Sequence, residues 1–116
     1  MQISKQRVIP LASEKISLEN GGGKSINLSK LIRMGFRVKN GFVIITQAYL
    51  DFLSDYGLGQ KIQALLKDTD LSDQTKLDKL SENICRLFTS RDFPAQLASE
   101  IIPAYRKLGS LPVAVR

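Results

Sequence analysis

Apolar residues fall into short blocks along the chain, and the spacing inside each block names the element it would form. Arg7 to Leu11 (RVIPL) is a brief apolar run that reads as a strand, and Pro10 places it at a sheet edge because proline has no N–H to give a ladder. A polar stretch follows and ends in Gly21-Gly22-Gly23. From Lys24 the period becomes helical: Leu28, Leu31, Ile32 and Gly35 recur at i, i+3, i+4 and i+7, and Gly35 is placed to cap the end. Gly41 to Ile45 (GFVII) has the β-branched and aromatic character of a buried strand, and Thr46 is suited to N-cap the helix after it.

In that helix Tyr49, Phe52, Leu53 and Tyr56 make one stripe, and Gly57 stops it. A short helix is expected around Ile62, Leu65 and Leu66, then a polar loop from Asp68 to Asp73. A longer helix carries Leu77, Leu80, Ile84, Leu87 and Phe88 on one side. Pro94 sits where the last helix would begin, Leu97, Ile101, Tyr105 and Leu108 give it a face, and Gly109 ends it. Pro103 lies inside this pattern, where it removes a hydrogen bond and crowds the preceding turn, so a kink or an early break is expected near Ile102. Pro112 to Arg116 (PVAVR) reads as a core strand that stops in mid-stride, and the chain is expected to be cut from a longer one. The order of elements predicts a mixed α/β piece, with no internal repeat.

Composition narrows the chemistry. At 116 residues, with 43% hydrophobic and 24% charged, the chain has the size of one domain or part of one. Lysine and arginine number 17 against 11 acids, and the resulting +6 suits a polyanionic partner such as a nucleotide triphosphate. The absence of histidine excludes imidazole acid–base catalysis and imidazole metal ligation. Cys85, the single cysteine, excludes an internal disulfide and a thiolate metal site, and its place between Ile84 and Leu87 reads as buried packing. No apolar run is long enough for a signal peptide or a membrane span, so a soluble cytoplasmic protein is expected.

The segment with chemical content is Gly21-Gly22-Gly23-Lys24-Ser25 leading into a helix. Glycines let backbone amides approach a phosphate, a helix start adds unpaired donors and a positive dipole end, and a lysine adds a full charge. It is not a Walker A loop: that pattern needs glycine where Leu18 stands, five positions before Gly23.

Gly22-Gly23-Lys24, then Asn27-Leu28, Leu31, Gly35, Val38, Gly41-Phe42, Ile44, Thr46, Ala48-Tyr49 and Phe52-Leu53, with the closing Val113-Ala114-Val115-Arg116, form one ordered set. It resembles the N-terminal part of the ATP-binding domain of the phosphoenolpyruvate synthase and pyruvate phosphate dikinase family, which has related domains in rifampicin phosphotransferase. The resemblance runs from about Val8 to Arg116 and implies an α/β (mixed α+β) fold, the first portion of an ATP-grasp-like domain, with short strands and about four to five helices. Residues 1–116 would be a single partial domain. It further implies ATP as ligand, with Lys24 beside Gly22 and Gly23, and Arg116, holding its phosphates. Family enzymes pass phosphate from ATP to a histidine on a mobile domain and from there to pyruvate or another acceptor. That phosphohistidine domain, and the acidic ligands of Mg2+, would lie outside this chain, which is expected to carry no catalytic residue and no metal ligand. The chain departs from the family at Val38-Lys39-Asn40-Gly41-Phe42, where Val-Pro-Pro-Gly-Phe is usual, and at Ile26, where a small residue is common. Asp51, Asp55, Asp68, Asp70 and Asp73 read as solvated acids that do not converge on Lys24. Two other readings stay open: a stand-alone regulatory or interaction domain of the same fold, and a basic nucleic-acid-binding module. The second is disfavoured by dispersed cations and by the helical core spacing of Tyr49, Phe52 and Tyr56.

Overall fold

The computed structural model of the chain describes residues 6–116. In order they form β1 (Val8–Pro10), α1 (Leu18–Arg33), β2 (Phe42–Ile44), α2 (Thr46–Asp55), α3 (Leu58–Lys67), α4 (Gln74–Thr89) and α5 (Ala95–Lys107). This is the mixed α/β class the pattern predicts. The chain gathers into two compact units, one formed by the residues up to Tyr49 with Pro94–Arg116, the other by Leu50–Phe93.

In the first unit β1 and β2 pair antiparallel with Val8 opposite Ile44, Ile9 opposite Val43 and Pro10 opposite Phe42. The Leu11 amide donates to the Gly41 carbonyl and the Ile45 amide to the Arg7 carbonyl, both at 2.9 Å, extending the ladder at each end. Successive strand residues point to opposite faces, yet Val8 and Ile9 are both buried. Each face of the pair is therefore covered. On one, Ile9, Leu11, Ile16 and Val43 form a core against which Ile26, Leu28 and Ile32 of α1 pack. Each fully buried aliphatic side chain of this kind contributes about 1.5–3 kcal/mol. The other face meets α5, where Glu100 Oε1 accepts from the amides of Arg7 at 2.8 Å and Val8 at 3.3 Å.

Helix α1 is pinned from its inner side. Ser29 is fully buried, and its hydroxyl donates to the Ser13 carbonyl at 3.1 Å, which removes the penalty of burying it unpaired. Gly35 ends the helix as its position predicts: with Met34 as C-cap, the Gly35 amide donates to Ile32 and the Phe36 amide to Leu31, the paired bonds of a Schellman motif.

Helix α5 runs through Pro103 to Lys107 without the break expected near Ile102. Ser99, whose carbonyl loses the proline's missing N–H, is exposed, so water can serve as donor there. Beyond Gly109, which has φ 92°, Tyr105 Oη donates to the Leu111 carbonyl at 2.9 Å. Pro112 to Arg116 is not the core strand its composition suggests: it has no regular structure, and Val115 is 92% exposed. A strand is made by its neighbour, and no strand among the described residues pairs with this segment.

The second unit contains the end of α2 with α3 and α4. Leu58 is fully buried and Leu80 nearly so. Phe52 stacks on Phe88 with ring centroids 5.7 Å apart and tilts against Tyr56 at 5.0 Å. The Arg91 guanidinium lies 5.5 Å over the Tyr56 ring, and Tyr56 Oη donates to the Asp92 carbonyl at 3.1 Å. Asp73 caps α4 by accepting from the Lys76 amide. In the loop before it, the Ser72 hydroxyl and amide donate to Asp70 and hold its carboxyl below the usual range. Cys85 is exposed rather than buried. It follows Ile84 by one residue, about 100° around the helix from the inward face. Tyr49 likewise leaves the expected stripe and is 52% exposed.

Candidate functional site

The glycine–lysine segment does not precede α1 but interrupts it. Ser17 caps the helix with its hydroxyl accepting from the Asn20 amide at 3.2 Å, while Asn20 Oδ1 accepts from the Ser17 amide at 2.8 Å. This is a reciprocal capping box, with asparagine in the place usually taken by glutamate or glutamine. Asn20 Nδ2 also donates to the Lys15 carbonyl at 2.9 Å. The helix thus begins at Leu18, six positions before the expected start at Lys24. It breaks at Gly22, whose φ of 80° and ψ of 173° lie outside helical space, and then resumes.

The break redistributes hydrogen bonds. In an unbroken helix the carbonyls of Glu19 and Asn20 would accept from the amides of Gly23 and Lys24. Here the single hydroxyl hydrogen of Thr46 is shared between those two carbonyls, with Oγ1 at 3.0 and 3.1 Å from them. The Gly23 and Lys24 amides become the first donors of the resumed helix, with the positive end of its dipole behind them. Thr46, expected to N-cap α2, is its first residue and uses its hydroxyl as a donor to the other helix. Sequence reasoning missed both devices. The Ser17-x-x-Asn20 spacing was visible but carries an unusual fourth residue, and no local signal couples Thr46 to residues 27 and 26 positions away.

Gly23 and Lys24 are exposed, and a Cβ built on Gly23 would meet nothing nearer than Leu18 Cδ1 at 3.9 Å. The Lys24 side chain makes no hydrogen bond or ion pair with any described residue, and the residue is exposed. Arg116 is also exposed and belongs to the same unit, and no hydrogen bond or ion pair joins it to Lys24. Gly22, Gly23 and Lys24 are neighbours in sequence at the break, and no hydrogen bond or ion pair ties Arg116 to them.

Acidic chemistry does not gather here. Among the described residues no three histidine, cysteine, aspartate or glutamate side chains cluster as a metal ion would require. Phe52 and Tyr56, the aromatic residues a nucleic-acid surface would need free, are engaged with each other, with Phe88 and with Arg91. No helix among the described residues is long and apolar enough to cross a membrane.

The unit thus combines a two-stranded sheet with a helix broken at Gly22 and an exposed lysine two residues on. The chain belongs to the family of the pyruvate phosphate dikinase AMP/ATP-binding domain, which matches residues 18–116, beginning where α1 begins. It is 37% identical over 107 residues to a phosphoenolpyruvate synthase of Pseudomonas aeruginosa, an alignment covering 85% of this chain and 14% of that protein. The phosphoenolpyruvate synthase of Aeropyrum pernix is 36% identical over 91 residues, covering 78% of this chain and 11% of its own length. That of Escherichia coli strain K12 is 34% identical over 93 residues, covering 77% and 12%. The chain spans only 11 to 14% of the length of these relatives.

Proposed function

We propose that this chain supplies a phosphate-binding part of the ATP site in a phosphotransferase of the phosphoenolpyruvate synthase kind, within an ATP-grasp-like domain in the cytoplasm. The observation that supports this most is the non-helical backbone of Gly22, just before Gly23 and Lys24 in a segment matched by an AMP/ATP-binding family; a helix that restarts there leaves its first amides without intrahelical partners. Gly23 and Lys24 donate backbone N–H groups to a phosphate oxygen, and the Lys24 ammonium neutralises charge on the next. Arg116 is a second cation for the same phosphates. The rest of such an enzyme would bring the acids that hold Mg2+ and the histidine that receives the phosphoryl group.

The role of this segment is to bind and orient. Phosphoryl transfer draws most of its rate from positioning and charge neutralisation, so a preset cradle of amides and one lysine lowers the reorganisation needed when ATP arrives. The test is an amide NMR titration of the chain with ATP, with sodium chloride of equal ionic strength as control. Shifts confined to Gly22, Gly23, Lys24 and their neighbours, and abolished in Lys24→Ala, are expected. Unmoved amides at Gly23 and Lys24 at saturating ATP would refute the assignment.

A further inference from the structure

We infer that Thr46 is the positioning residue of the Gly22 break, holding open the helix that would otherwise close over the phosphate-binding amides. The inference deepens the reading above and rests on it for its functional meaning. Two states compete at Gly22. In one the helix is continuous, and the Gly23 and Lys24 amides are consumed by the carbonyls of Glu19 and Asn20. In the other it is broken, and the amides are free but the two carbonyls have lost their donors. Both carbonyls lie at the surface, where water can also donate to them, so a protein donor held in place favours the broken state by the net worth of one hydrogen bond rather than by a full burial penalty. Thr46 Oγ1 is that donor, its one hydrogen shared between the Glu19 and Asn20 carbonyls at 3.0 and 3.1 Å.

The hydroxyl is delivered from a fixed place. Ile45, one residue earlier, donates its amide to the Arg7 carbonyl of the strand pair at 2.9 Å and accepts from the Ala48 amide at 3.0 Å. Ala48 is itself buried. The junction of β2 and α2 therefore sets where the hydroxyl stands, and the hydroxyl sets which state Gly22 adopts. Glycine is a poor helix former, so the two states are close in free energy and one side-chain hydrogen bond is enough to choose between them.

The experiment compares the chain with Thr46→Val, which keeps shape but removes the donor, and with Thr46→Ser, which keeps the hydroxyl. Amide hydrogen exchange at Gly23 and Lys24 is read first, and then titration with inorganic tripolyphosphate. In Thr46→Val the two amides are expected to become protected, as they pair with Glu19 and Asn20, and tripolyphosphate affinity to fall roughly 3- to 10-fold, the range one hydrogen bond provides. Thr46→Ser should restore both. Unchanged exchange in Thr46→Val overturns the inference, and so does a serine variant that behaves like valine, because the methyl group would then be responsible. If tripolyphosphate fails to bind the unaltered chain, the nucleotide reading falls while hydrogen exchange still decides the role of Thr46.

Discussion

Three adjacent glycines do three different things. Gly21 is needed for space: a Cβ there would lie 3.0 Å from Ile16 Cγ2 and 3.2 Å from Ser25 Cβ, against a wall of the core. Gly22 is needed for its backbone, since φ 80° with ψ 173° is open to glycine and strained for any other residue. Gly23 is needed for neither, with open space at its Cβ and no positive φ. Alanine at each site should separate these causes. Gly22→Ala is expected to cost about 1–3 kcal/mol through strain, and Gly21→Ala a similar amount through overpacking. Gly23→Ala should leave stability unchanged or raise it by up to ~1 kcal/mol, because alanine favours the helix. Its effect would appear in ligand binding, where a methyl group holds phosphate off the backbone. Urea unfolding and ATP titration of the three variants check this. A Gly23→Ala chain that unfolds early would show that this position serves the fold.

At the scale of elements, most of α1 to α5 was legible because an amphipathic period is written locally, as with Leu80, Ile84, Leu87 and Phe88 of α4. What stayed hidden depends on partners distant in sequence. A triple glycine reads as a loop, and only the capping box and the Thr46 hydroxyl turn it into a break inside a helix. The valines of Pro112 to Arg116 suggest a strand, but a strand requires an edge to pair with. The residues of the glycine–lysine site were visible in sequence, whereas the cause of their exposure was not. Pro103 provides a direct test of element-level physics. Pro103→Ala would return a donor to the Ser99 carbonyl in a helix already formed, so stability should rise by up to about 3 kcal/mol, read as a higher midpoint in urea. Glu100→Ala works the other way. It strips the Arg7 and Val8 amides of their shared acceptor and should cost about 1.5–3 kcal/mol. The partial exposure of Glu100 favours the lower part of that range.

For the whole molecule, the deciding quantity is how much of a phosphoryl-transfer site one chain can assemble. ATP brings four negative charges near neutral pH, and this chain offers Lys24, the amides at the break and Arg116 to meet them. In the proposed role these groups would attract and orient a triphosphate, but two further components of the reaction are not with them: an acid set for a divalent cation, which the described residues do not gather, and an acceptor histidine, of which the sequence has none. Binding and turnover should therefore part company. The purified chain is expected to bind ATP with a Kd on the order of 1 mM, as a few phosphate contacts without a closed pocket allow. Because those contacts are exposed, the affinity should weaken as salt is raised from low to physiological levels. Phosphate release from ATP, with Mg2+ present, should stay at the rate of a protein-free control. Sustained release that survives repurification and disappears in Lys24→Ala would contradict this, because it would require a complete catalytic set where only anion-binding groups are proposed.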